Sequence, residues 1–180
     1  ITLLDTPGHV DFSAEMERTL QVLDYAVLVI NGADGIQGHT RTLWGLLERY
    51  DIPVFLFVNK MDQPGTDEER LFAELFGKLS ENCVKFRGYR PDNDATEGKA
   101  RQDRASLGEG VSEEQQLLWE EIATCDEVLM ERFLEENCLD DTSVAEAVAE
   151  RRVFPCYFGS VLRGEGVEEL LEGLRTYTLS

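Results

Sequence analysis

An α/β fold, a parallel sheet flanked by helices, is predicted by two features of this 180-residue chain. Ala26-Val27-Leu28-Val29-Ile30 and Val54-Phe55-Leu56-Phe57-Val58 are unbroken apolar runs rich in β-branched and aromatic residues. Strands apolar on both faces belong to a parallel sheet covered on both sides. Stretches with helical spacing alternate with these runs, and strand–helix–strand alternation is the α/β signature.

In chain order, Ile1-Thr2-Leu3-Leu4 reads as a short strand ending at Asp5. A helix is predicted over about Phe12 to Leu23, with Met16, Leu20 and Leu23 on one face. A second is predicted over Gln37 to Tyr50, with Thr40, Leu43, Leu47 and Tyr50 near helical spacing. Thr66-Asp67-Glu68-Glu69 reads as a helix start followed by Leu71, Leu75 and Leu79 on one face, and Val84 to Phe86 as a short strand. Pro91 to Ser106 is polar, charged and nearly free of large apolar residues, the composition of a mobile loop. Ser112 with Gln115 reads as a capping box, opening a helical stripe of Leu118, Ile122, Cys125, Leu129 and Phe133. Ser143 with Glu146 reads as a second box before a short helix. Val153 to Phe158 returns to strand, with Pro155 favouring a sheet edge, and Val167 to Tyr177 to helix. This divides the chain into a core of residues 1–65 and 153–180 and a mostly helical insertion over 66–152, with no internal repeats.

Composition narrows the functional classes. An apolar fraction of 42% suffices for one core, and no run approaches the ~20 apolar residues of a membrane span. Nothing resembles a signal peptide. The formal net charge of −19 argues against non-specific nucleic-acid binding, which needs a surplus of Lys and Arg. Much of the acid falls between Glu109 and Glu150, either a solvated helix face or a docking surface for a basic protein partner. Cys83, Cys125, Cys138 and Cys156 are too widely spaced for a zinc site or a disulfide framework, which reads as reduced thiols in a cytoplasmic protein. The chain opens on Ile1, straight into a strand-like run, and so reads as an internal segment of a longer protein.

Two motifs carry chemistry. Asp5-Thr6-Pro7-Gly8-His9 follows the first apolar run and Asn59-Lys60-Met61-Asp62 the third. In an open parallel sheet, ligands bind beyond the carboxyl ends of the strands, so both motifs are expected to face one crevice. Asp5 is placed to hold Mg²⁺, as acids after such strands do in phosphoryl-transfer enzymes. Gly8 lets the backbone approach a terminal phosphate, and a neutral His9 imidazole can accept from an attacking water. A tight turn capped by a surface histidine is the alternative reading.

Asn-Lys-x-Asp has a sharper rationale. The Asp62 carboxylate can accept from the ring N–H and the exocyclic amine of guanine, whereas adenine presents a lone pair there and leaves the acid unpaired. Such pairing discriminates by roughly 10⁴ or more. The Lys60 stem can cover the base plane and Asn59 can tie the loop together. Gly159-Ser160-Val161, after the last strand, offers a backbone N–H for the guanine carbonyl. No phosphate-cradling G-x-x-x-x-G-K-S/T stretch occurs.

These residues resemble the translational GTPases, the elongation factor G branch in particular. Asp5-Thr6-Pro7-Gly8-His9-Val10-Asp11-Phe12, then Glu15, Arg18 and Leu20, Val22-Leu23-Asp24 and Asp34-Gly35-Ile36-Gln37 follow that branch closely. The elongation factor Tu and initiation-factor branches share the first motif and diverge after it. The insertion between Asp62 and Val153 resembles the accessory subdomain of elongation factor G and of tetracycline-resistance ribosomal protection proteins. Asn59-Lys60-Met61-Asp62-Gln63 and Phe154-Pro155, leading to Tyr157-Phe158-Gly159-Ser160, lean toward the protection proteins.

The resemblance implies a partial P-loop-GTPase-like sheet, GTP/GDP and Mg²⁺ as ligands, and the ribosome as partner through its stalk protein and RNA. It makes Asp5 the magnesium-associated acid, Gly8 a γ-phosphate contact and His9 the residue engaged when the ribosome triggers hydrolysis. Asn59, Lys60 and Asp62 are implied to bind guanine, with Ser160 and Val161 in support. Val161 stands where the family usually has Ala, and His39 where Gln is usual. The family's phosphate loop, first helix and first switch should precede Ile1, and its first strand should lie between those at Ile1 and Ala26. A chain without them is expected to be unable to hydrolyse GTP, with a sheet that closes abnormally or pairs with a second chain. Translocation, drug protection and peptide release remain open as roles of the parent protein. So does a non-catalytic reading, in which the acidic insertion docks a stalk protein.

Overall fold

The computed structural model describes residues 2–5, 19–86 and 112–179. The predicted helix over Phe12–Leu23 therefore lies mostly outside the described residues, as does the whole Pro91–Ser106 segment. Of that helix, Thr19 and Leu20 are helical and Leu20 is buried.

Four parallel strands form one sheet: β1 (Ala26–Asn31), β2 (Val54–Asn59), β3 (Cys83–Lys85) and β4 (Phe154–Phe158), in the order β1-β2-β4-β3. Among the described residues they are accompanied by α1 (Gly38–Arg49), α2 (Glu68–Lys78), α3 (Glu113–Thr124), α4 (Glu127–Glu136), α5 (Asp141–Ala149) and α6 (Val167–Tyr177). The fold class is thus the α/β arrangement that the apolar runs predict.

The sheet is covered on both faces, which is why β2 carries no polar residue before Asn59. Val54, Leu56 and Val58 point to one side, joined by Phe154, Cys156 and Cys83, and pack against Trp44 and Leu47 of α1 and Leu71 and Leu75 of α2. Phe55 and Phe57 point to the other, joined by Val84 and Tyr157. They meet Leu118 and Ile122 of α3, Leu129 of α4, Val144 and Val148 of α5, and Tyr177 of α6. Burying one such side chain stabilises by about 1.5–3 kcal/mol, so neither face of β2 tolerates a polar residue. The 66–152 segment supplies β3 to the same sheet and helices to both its faces.

Several expectations meet corrections. Among the described residues the strand expected over Ile1–Leu4 does not form: Thr2–Asp5 is exposed chain outside the sheet, with Leu3 84% accessible, and no described strand pairs with it. Nor, among the described residues, does the sheet close abnormally. β1 keeps its parallel register to β2, and among the described residues its outer edge has no partner.

Pro155 sits in an inner strand, not at an edge. Toward β3, the flanking residues carry the ladder: the Phe154 N–H donates to Asn82 O, and the Phe86 N–H donates to Cys156 O. Toward β2, pairing begins at Leu56↔Cys156, one residue past the proline, so its missing N–H breaks no pair.

The stripe from Leu118 to Phe133 spans two helices. α3 stops at Cys125, and the Asp126 side chain caps α4 by accepting from the Val128 and Leu129 N–H groups. Asp140, not Ser143, caps α5, with its Oδ1 accepting from the Ser143 N–H at 2.8 Å. Ser112 does cap α3, accepting from the Gln115 N–H. In α1 the buried face includes Trp44, which the spacing argument passed over.

Candidate guanine-base site

The carboxyl ends of β1, β2 and β4 meet at one rim of the sheet, and backbone bonds tie them together. The Gly32 N–H donates to Asn59 O at 2.7 Å, the Gly159 N–H to Val58 O at 2.9 Å, and the Met61 N–H to Gly159 O at 3.0 Å. The loop after β2 and the loop after β4 are therefore one structural unit.

Asn59 completes that unit with its side chain. Its Oδ1 accepts from the Lys60 N–H at 2.8 Å and from the Val161 N–H at 3.0 Å, a residue more than a hundred positions further along the chain. A side-chain amide at this point serves where an aliphatic residue of similar size leaves both donors unpaired. Lys60 then takes a left-handed backbone, φ +64°, which turns the chain back over the strand end. Thr66 closes the loop, its Oγ1 donating to Met61 O or Gln63 O, each at 2.8 Å.

The loop after β4 is held as tightly. Ser160 and Glu165 exchange backbone bonds of 3.0 Å in each direction around a short 3₁₀ turn, Val161–Arg163. A Cβ on Gly159 would stand 2.1 Å from Glu165 O, and one on Gly166 would stand 2.4 Å from Phe158 O. Only glycine allows this close approach.

Asp62 faces the same rim, its side chain 17% exposed, with Arg163 Nε 3.7 Å from its Oδ2. The Ser160 hydroxyl, buried with no partner in hydrogen-bond geometry, is close enough to be the main influence holding the Asp62 carboxyl below its ordinary value. Burial opposes this; the backbone and the Arg163 guanidinium add to it. The result is a dissociated acceptor beside a buried hydroxyl, at the end of the sheet where the strands aim their loops. That combination suits a ligand edge with two N–H donors.

Asn59, Lys60, Asp62, Ser160 and Val161 are thus brought together. Asp5 is not brought to them: it lies on the exposed Thr2–Asp5 chain, and among the described residues no hydrogen bond or ion pair joins it to this loop. Gly8 and His9 lie outside the described residues. Among the described residues no three acidic, histidine or cysteine side chains are grouped to hold a metal ion. Asp5 is the one carboxylate of its motif among the described residues, and its partners Gly8 and His9 lie outside them.

The structure adds residues that motif reading missed: Arg163 beside Asp62, Thr66 under the loop, and the Gly159–Gly166 pair that clamps the turn. Their signal in the sequence is the glycine density of Gly159-Ser160-Val161-Leu162-Arg163-Gly164-Glu165-Gly166 just after a strand.

The whole chain, residues 1–180, matches the family model described as the elongation factor Tu GTP-binding domain. This chain belongs to that family, the translational GTPases. Among curated relatives, an oxytetracycline resistance protein of Streptomyces rimosus is 36% identical over 97% of this chain. The chain spans only 26% of that relative's length. A crystal structure of a protein from Thermus thermophilus superposes with a TM-score of 0.69 over 98% of this chain and 30% of its own, at 24% identity, a likeness of fold. Family membership gives the Asn59–Asp62 loop its chemical context, a GTP-binding domain.

Proposed function

We propose that this chain is the base-reading part of the GTP-binding domain of a ribosome-dependent translational GTPase, one that acts in elongation or in tetracycline protection. The observation that supports this best is the Asn59 amide bridging Lys60 and Val161, which joins two distant loops around the Asp62 carboxylate. In this reading Asp62 accepts from guanine, Lys60 covers the base, and the loop of Ser160 and Val161 meets the guanine carbonyl. Gly8, His9 and a magnesium-associated Asp5 serve the phosphate end. The protein works in the cytoplasm, and no described helix is long and apolar enough to cross a membrane.

These 180 residues alone are proposed to be inactive in hydrolysis, because no stretch among them offers the Lys and Ser/Thr of a phosphate loop. Calorimetric titration with GDP, using ADP as control, tests the reading. Micromolar, guanine-selective binding supports it, and equal response to both nucleotides sinks it.

A second reading concerns the 66–152 segment as an accessory subdomain that docks a ribosomal stalk protein. It is favoured by Leu117, Val128 and Leu134, which are exposed on α3 and α4 among Glu113, Glu114, Glu120, Glu121, Glu131 and Glu135. Apolar positions ringed by one sign of charge suit a basic protein partner. Charge reversals on these helices are expected to weaken partner binding in a pull-down with stalk protein while leaving GDP affinity unchanged.

A further inference from the structure

We propose that Arg163 is an internal competitor for the base-reading carboxylate, standing against Asp62 where the guanine edge is to bind, so that a guanine nucleotide must displace it. This rests on the reading of Asp62 as the guanine acceptor.

The chemistry starts from a likeness of donors. The ring N–H and exocyclic amine of guanine flank one carbon, which makes that edge a guanidine. Arginine presents the same fork, and a carboxylate recognises both by paired N–H···O bonds. An adenine edge has no such fork. A site built to accept from guanine is therefore also built to accept from any arginine within reach, and Arg163 is within reach.

The geometry says how firmly it is held. Arg163 Nε stands 3.7 Å from Asp62 Oδ2, an ion pair too long for a hydrogen bond, and the Arg163 side chain is 59% exposed. Its backbone is anchored, with its N–H donating to Ser160 O at 3.0 Å in the turn that begins with the Asn59-bound Val161. An anchored base with a loosely held head lets the guanidinium swing away without disturbing the loop. An arginine that braced Asp62 from behind would be expected to hydrogen-bond it and to be covered; this one does neither. Exposed pairs of this kind contribute little, so the competition is weak enough for a nucleotide to overcome.

The test is calorimetric titration of the chain with GDP, and ADP as control, comparing wild type with Arg163→Gln at low and high salt. Arg163→Gln is expected to bind GDP about two- to five-fold more tightly at low salt. The gap should close as salt screens the pair. Loss of a cation near an anionic nucleotide would by charge alone weaken binding, so tightening is the outcome simple electrostatics does not give. Carboxyl NMR supplies a second readout: Arg163→Gln should raise the titration midpoint of Asp62. Guanine-selective binding that is unchanged or weaker in Arg163→Gln, or an unmoved Asp62 midpoint, overturns the competition and leaves the base-site reading standing. Absence of guanine selectivity in both proteins overturns both.

Discussion

Lys60 shows at the scale of one residue how strain and function separate. A lysine at φ +64° costs about 1–2 kcal/mol that glycine avoids. The Lys60 side chain is exposed and neither its ammonium nor its stem repays that cost by burial. The repayment is expected in the nucleotide complex, where the stem covers the base. Lys60→Gly should therefore leave thermal stability unchanged or slightly raised while weakening GDP binding. A variant that keeps wild-type affinity would remove Lys60 from the base site. Asn59 and Asp62 were legible as candidates in the sequence because the roles proposed for them follow from side-chain chemistry at a strand end. Ser160 was legible only as a backbone donor. That its hydroxyl is buried beside Asp62 depends on the turn closed by Glu165, which no local pattern announces.

At the scale of elements, α2 reaches back to the loop after β1. Glu74 Oε2 accepts from the Lys78 ammonium at 2.9 Å and from the Ile36 N–H at 3.3 Å. The approach needs Gly35, at φ +66°, where a Cβ would stand 2.9 Å from the same oxygen. Lys78 first, then the Ile36 N–H, hold the Glu74 carboxyl below its ordinary value, against burial. A depressed carboxyl contributes stability that is complete above its unfolded value, about 4.3, and is lost as pH falls through the lower folded value. Glu74→Gln is thus expected to be less stable than wild type at neutral pH, with the gap closing in acid below about pH 4.3. Urea unfolding across pH checks this, and a gap that widens in acid would contradict it. One unforeseen cap and one misread cap belong to the same scale. Asp126 caps a helix that begins where α3 ends, and Asp140 caps in place of Ser143 because the next helix begins where Leu139 turns inward, facts of packing rather than of spacing.

For the whole molecule, the edge of β1, which has no partner among the described residues, is the feature with consequences for behaviour in solution. Ala26 donates to Pro53 O and Gly32 to Asn59 O, so the alternate residues Val27 and Val29 aim their backbone groups at the side that has no partner among the described residues. Val29 is also 58% exposed. Unpaired edges of this kind recruit strands, and we propose that the chain self-associates through this one. Val29→Pro removes an edge-facing N–H and leaves the β1–β2 ladder intact. It should make the sedimentation profile monomeric at concentrations where wild type associates. Association that survives the substitution would place the contact elsewhere.

The α/β class, the candidate base-reading loop as a turn at the end of β2, and the last helix, Val167–Tyr177, were determined by the sequence alone. Each rests on a local rule: a doubly apolar strand, a carboxylate two residues after a lysine at a strand end, a helical period. The tertiary structure alone decided that Pro155 lies inside the sheet, that β3 is an edge strand, and that Arg163 meets Asp62. These depend on which strand lies beside which and on how a turn closes. Such matters are settled by contacts between residues far apart in the chain, and no local pattern encodes them.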